Sequence, residues 1–152
     1  MSSFEVTRSQ RIEADPARIH ALVNNFREWR AWSPWEDLDP DLHREYSGAE
    51  SGEGARYSWK GNRKAGAGTM VITSSTPRVV SFDLTFLKPF KASNQFEFDL
   101  HDVDGGTEVT WRMTGEQKGL AGLFARFYPM EKLVGPDFEK GLDRLKAAAE
   151  KG

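Results

Sequence analysis

Apolar and polar residues alternate along much of this chain, and the alternation has period two. Val80, Phe82, Leu84 and Phe86 share one side of a strand, with Ser81, Asp83 and Thr85 on the other. Phe96, Phe98 and Leu100 repeat the pattern against Gln95, Glu97, Asp99 and His101. Tyr57 with Trp59, Met70 with Ile72, and Val109 with Trp111 and Met113 supply three more apolar faces. One dry face and one wet face describe a sheet covered on one side only. Strands are predicted over 3–13, 41–47, 54–61, 67–76, 78–88, 91–102 and 106–115. Between them stand Gly48, Gly52 and Gly54, then Gly61-Asn62, Pro77 and Lys88-Pro89. Asp104-Gly105-Gly106 is the strongest hairpin signal, because glycine takes the positive φ that tight turns need. Short adjacent strands joined this way form an antiparallel meander.

Two segments carry helical spacing instead. Asp15-Pro16 reads as an N-cap followed by proline at the first helical position, and Ile19, Leu22, Val23 and Phe26 follow on one face, so a short helix is expected over 16–25. A second short helix carries Phe26, Trp29 and Trp32 and stops at Ser33-Pro34, and 35–40 is expected to be loop. The other segment runs from about 119 to 150. Its stripe is Leu120, Leu123, Phe124, Phe127, Met130, Val134, Phe138, Leu142 and Leu145. Gly135-Pro136 interrupts that segment, where proline favours a kink or a break. The stripe stays in phase across the interruption, which predicts one bent helical arm covering the dry face of the sheet.

Length and composition narrow the function classes. A chain of 152 residues fits one domain, and five Trp, three Tyr and ten Phe give its core large buried areas per residue. Lys+Arg of 21 against Asp+Glu of 23, with the signs interspersed, leaves neither a basic stripe for nucleic acid nor a polybasic segment for an anionic membrane. With no cysteine, disulfides, thiolate nucleophiles and Cys-ligated zinc are excluded. No run approaches the roughly 20 apolar residues of a spanning helix, and residues 1–15 carry no signal-type apolar run, so a cytoplasmic protein without stable membrane insertion is expected. Monomer and dimer both remain open.

Several longer stretches have a familiar look. They are Trp32-Ser33-Pro34-Trp35 with Asp39-Pro40, the run Gly54 to Asn62, Gly66 to Met70, Gly106 to Trp111, and Val134 to Leu142. Together they resemble the polyketide cyclase/dehydrase-like branch of the START/Bet v 1-like (SRPBCC) superfamily over about residues 3–148. The resemblance implies an α+β helix-grip fold: a seven-stranded antiparallel sheet wrapped around a long C-terminal helix, with two short helices after the first strand. It also implies an internal cavity for a small hydrophobic molecule such as a lipid, a polyketide or an aromatic metabolite. The superfamily includes carriers, sensors, cyclases and chaperone-activating modules, and fold alone does not choose among them.

The candidate ligand-facing residues are Trp35, Tyr57, Trp59, Met70, Phe86, Phe96, Phe98, Trp111, Met113, Phe124, Phe127, Met130 and Phe138. Each is either part of a ligand box or simply core. Tyr57 is the best inward hydroxyl for orienting a ligand, with a hydroxyl at the rim as the alternative. The Trp32, Trp35, Glu36 and Asp37 segment either gates the cavity or clamps the end of the barrel, and the rigid Ser33-Pro34 between two tryptophans favours the clamp. No catalytic constellation is legible. His20, His43 and His101 are expected to face solvent, and the ionisable groups nearest the sheet–helix junction are Arg112, Glu116 and Arg126. Neither a cofactor nor a metal is expected: Glu36, Asp37, Asp39 and Asp41 lack the spacing of a calcium loop. Gly61 to Gly68, with Arg63 and Lys64, lacks the lysine-hydroxyl ending of a phosphate loop and reads as a hairpin loop. The gate, if binding needs one, is expected in the arm before Gly135-Pro136 or in the loops 60–66 and 88–90.

Overall fold

The structure is a computed structural model that describes residues 2–63, 65–88, 91–117 and 130–151. Seven strands follow the period-two segments closely: β1 (Ser2–Ile12), β2 (His43–Gly48), β3 (Ala55–Lys60), β4 (Ala67–Ser75), β5 (Val79–Lys88), β6 (Ala92–Val103) and β7 (Gly106–Gln117). They form one antiparallel sheet in the order β1-β7-β6-β5-β4-β3-β2. Strands β2 to β7 are the expected meander, and β1 completes the sheet beside β7. Between β6 and β7 the turn closes where Gly105 takes φ +79°, and among the described residues only glycines have positive φ. The conformational freedom of that glycine is what allows so short a connection.

Register explains the single dry face. Phe98 pairs with Trp111 and Phe96 with Met113 across β6 and β7, while Phe82 pairs with Phe96 and Ile72 with Phe82 on the neighbouring strands. All six side chains are buried. On the wet face, Arg112 pairs with Glu97 at 2.9 Å and Asp99 at 3.5 Å, so it is placed on the outside of the sheet and not at an inner junction.

Two separate covers close the dry face. Helix α1 (Pro16–Val23) is followed by a 3₁₀ turn at Phe26–Ala31 and a second at Pro34–Asp37. Trp29 meets Phe82 edge-on at 5.5 Å, and Trp32 meets Phe98 at 5.7 Å. The indole N–H of Trp29 donates to the Val23 carbonyl at 3.0 Å and that of Trp32 to the Leu22 carbonyl at 2.9 Å. This is a structural clamp at one end of the sheet. The C-terminal helix α2 (Met130–Lys151) covers the other part, with Phe138 stacked on Trp111 at 4.1 Å and 4°. Gly141 lies so close that a Cβ there would stand 2.9 Å from the Trp111 ring and 3.0 Å from Pro34. Polar bonds tie α2 to β1 and its end: Arg8 Nε donates to Glu139 at 3.0 Å, Gln10 Nε2 to Asp143 at 2.7 Å, and the Glu13 amide to Glu150 at 2.8 Å.

Two local expectations are corrected. Asp15 is the N-cap of α1 with Pro16 behind it, but its side chain makes no capping bond. The segment expected to be loop after Trp35 begins as a 3₁₀ turn, because Pro34 fixes a helical φ at the first position and the Ser33 hydroxyl accepts from the Trp35 amide at 3.3 Å. Helix α2 runs on through Pro136, in keeping with the stripe that stays in phase across it. The expected arm between 119 and 129 lies outside the described residues.

Candidate ligand site

The site is built where the second 3₁₀ turn meets the far edge of the sheet. A 3₁₀ turn brings residues three apart into line, so Glu36 falls in line with the buried Ser33. Glu36 is only 8% exposed, unusual for a carboxylate, and its burial is explained by its partners. Arg44 and Tyr46 alternate inward on β2, opposite Trp59 and Tyr57. Arg44 Nε donates to Glu36 Oε1 at 3.0 Å, and its Nη2 donates to the Glu36 backbone carbonyl at 3.0 Å. The Tyr57 hydroxyl donates to Glu36 Oε2 at 2.7 Å. Burial, followed by the hydrogen bond to Glu36 and its negative charge, drives the Tyr57 phenol well above the ordinary tyrosine range. Burial works against the Arg44 charge, but Glu36 outweighs it and holds the guanidinium above its usual value.

Beside this triad lies a cavity of about 170 Å³. Tyr57 and Trp59 of β3, Met70 of β4, Leu84 and Phe86 of β5 and Phe96 of β6 form its sheet side. Trp29, Ser33, Trp35 and Glu36 form the opposite wall with Leu38 and Leu42, while Ala65 and the α2 residues Val134 and Asp137 complete it. Trp59 lies over Gly68, where a Cβ would stand 2.5 Å from the ring and 2.5 Å from the Thr85 carbonyl oxygen. Glycine is therefore what lets this indole approach the β4 backbone so closely, with Phe86 edge-on to it at 5.9 Å. Trp35 stacks on Phe96 at 5.8 Å and 8°, and its indole N–H donates to Asp137 Oδ2 at 3.1 Å. An engineered apolar cavity of about 150 Å³ holds a benzene molecule, so this volume suits an occupant of roughly one ring.

Six of the sequence candidates line this space: Trp35, Tyr57, Trp59, Met70, Phe86 and Phe96. Four others do not. Phe98, Trp111, Met113 and Phe138 are at most 1% exposed and are packed into core, because the tryptophan clamp and α2 fill that end of the sheet. Phe124 and Phe127 lie outside the described residues, as do Arg126 and the side chains of Met130 and Glu116. The clamp and the cavity wall turn out to be successive parts of one segment: Trp32 clamps, while Trp35 and Glu36 line. Glu36 as an inward ionisable group, Arg44 behind it and Asp137 were not anticipated. Their signals were the three-residue spacing of Phe26, Trp29, Trp32 and Trp35, and the shared phase of Arg44 and Tyr46. Of the histidines, His43 and His101 are exposed, and His20 is half-buried within 3.2 Å of the Ser75 hydroxyl, away from the cavity. Among the described residues no cluster of His, Asp and Glu is arranged to hold a metal ion.

The family model described as polyketide cyclase / dehydrase and lipid transport matches residues 3–150. The chain belongs to this family. Solved structures give the same fold at low identity. A protein of unknown function from Staphylococcus aureus superposes with a TM-score of 0.71 at 11% identity, over 99% of this chain and 95% of that one. Ara h 8.0201 superposes with a TM-score of 0.63 at 15% identity, over 99% and 97%. The di-domain ARO/CYC protein BexL, from the BE-7585A biosynthetic pathway, gives 0.68 at 15% identity, over 97% of this chain and 50% of its own. No curated protein matches significantly. Family membership supports a ligand-binding or cyclase role, and no described helix is long and apolar enough to cross a membrane.

Proposed function

We propose that the protein binds a small, ring-bearing hydrophobic molecule in the cavity between β3–β6, the second 3₁₀ turn and α2. The observation that carries this reading is the cavity itself: about 170 Å³, walled by aromatic side chains, with the Glu36–Tyr57 pair at one wall. Pockets for small molecules are mostly apolar with a few fixed polar groups, and this wall has that character. Binding would be driven by burial at about 0.8 kcal/mol per methylene, with the polar groups setting orientation. Family membership supports the same reading. Native mass spectrometry of freshly purified protein, together with thermal unfolding in a panel of one- and two-ring aromatics, tests it. A solvent-releasable added mass or a saturable rise in Tm is expected. A bare chain whose Tm moves with none of the panel sinks the proposal.

A second reading, an enzyme of the cyclase or dehydratase type, gains from one observation. Such chemistry needs an ionisable group facing the substrate, and Glu36 faces the cavity. Turnover of a polyketide-like substrate that disappears in Glu36→Gln, with binding retained, would distinguish catalysis from carriage.

A further inference from the structure

The hydrogen-bond inventory of the cavity wall is one-sided. The Tyr57 hydroxyl is committed to Glu36 at 2.7 Å. The indole N–H groups of Trp29, Trp35 and Trp59 are committed to the Val23 carbonyl, to Asp137 and to the Ala65 carbonyl, the last at 2.8 Å. Among the described lining side chains this leaves the Ser33 hydroxyl as the one donor with a proton to spare, whereas two carboxylates, Glu36 and Asp137, keep acceptor capacity. Their charges differ in standing. Glu36 is neutralised from behind by Arg44, which does not itself line the cavity. Asp137 has the Trp35 indole as its partner and no cation beside it among the described residues. No described Lys, Arg or His lines the cavity.

From this we infer that the cavity is selective for small apolar ammonium ions, aromatic or arylalkyl amines, over neutral and anionic molecules of the same shape. The inference rests on the binding function proposed above and names the ligand class. Six aromatic side chains line the space, and a cation lying against an aromatic face is attracted by the ring quadrupole. The ammonium protons answer two carboxylates beside which the described lining side chains offer one spare proton, that of Ser33, and Asp137 supplies the counter-charge that makes taking the cation out of water tolerable. A carboxylate ligand would meet like charge in the same place, with the Ser33 hydroxyl as the one spare donor among the described lining side chains. A neutral alcohol satisfies one acceptor and leaves the charge of Asp137 uncompensated.

Three near-isosteric probes separate the possibilities at pH 7: benzylamine, benzyl alcohol and benzoate, each titrated into the full chain by calorimetry and by tryptophan fluorescence. Benzylamine is expected to bind about tenfold more tightly than benzyl alcohol, with benzoate the weakest, as one partly screened charge pair at the half-buried Asp137 allows. In Asp137→Asn the benzylamine advantage should shrink to near unity while benzyl alcohol binding stays as in the parent. If benzyl alcohol or benzoate binds as tightly as benzylamine to the parent protein, the selectivity is wrong and the binding function stands. If none of the three binds, both fall. The parent-protein series decides the matter even if the Asp137 variant folds poorly.

Discussion

Glu36 is the residue on which the site turns. Its carboxylate receives hydrogen bonds from Tyr57 and Arg44 while lying almost out of solvent. Removing one member of a buried pair strands the other charge, so Glu36→Ala is expected to cost about 3 kcal/mol in chemical denaturation. Tyr57→Phe removes a charge-assisted bond but no charge and should cost about 2 kcal/mol. The raised Tyr57 phenol also predicts a pH effect. An acid whose folded pKa lies above its unfolded value favours the folded state fully while both states keep the proton. That contribution is lost as the unfolded chain ionises, above about pH 10. Tyr46 is raised as well, chiefly by burial and then by Glu36. The parent protein should therefore lose stability more steeply than Tyr57→Phe between neutral pH and pH 11. Parallel curves would show that Tyr57 is not held in its protonated form.

At the scale of elements, two contacts decide how the covers sit on the sheet. Phe138 joins α2 to the aromatic core through its parallel stack on Trp111, and Phe138→Ala should destabilise by about 3–5 kcal/mol, read by urea unfolding. A loss below 1 kcal/mol would mean that α2 is held mainly by its polar bonds to β1. Gly68→Ala should cost about 1–3 kcal/mol, because the new methyl collides with a backbone carbonyl, and it should displace Trp59 from the cavity wall with a shift in tryptophan emission. Strands and hairpins were legible because period two and turn glycines are local signals, as in Val80–Phe86 and Asp104–Gly105. The turn at Pro34–Asp37 was not, since four residues are too few to show a period and the acidic composition reads as solvent-facing. What holds Glu36 inside is Arg44, eight residues on in a different element, and only the folded chain brings the two together.

At the scale of the molecule, the described parts of the sheet and its two covers enclose a cavity between the tryptophan clamp and the start of α2. The amino-acid pattern identified the aromatic residues of the dry face but not their division into core and cavity wall. Trp111 and Trp59 carry the same signal on their strands, and what separates them is which cover lies above: Phe138 on the first, open space beside the second. An interaction module would call for a contiguous exposed apolar patch. The exposed large hydrophobics among the described residues are Leu87 and Val103, on β5 and β6 respectively. These two lie on different strands, and the cavity is the feature through which the molecule would take a partner. The most direct test of its occupancy is a methyl-resolved NMR titration with benzylamine and benzyl alcohol. Saturable shifts of the Met70 and Leu84 methyls are expected, with Val109 in the core and Leu87 on the surface unmoved. Shifts confined to Leu87, or no saturable shift at Met70 and Leu84 with either probe, would contradict that occupancy.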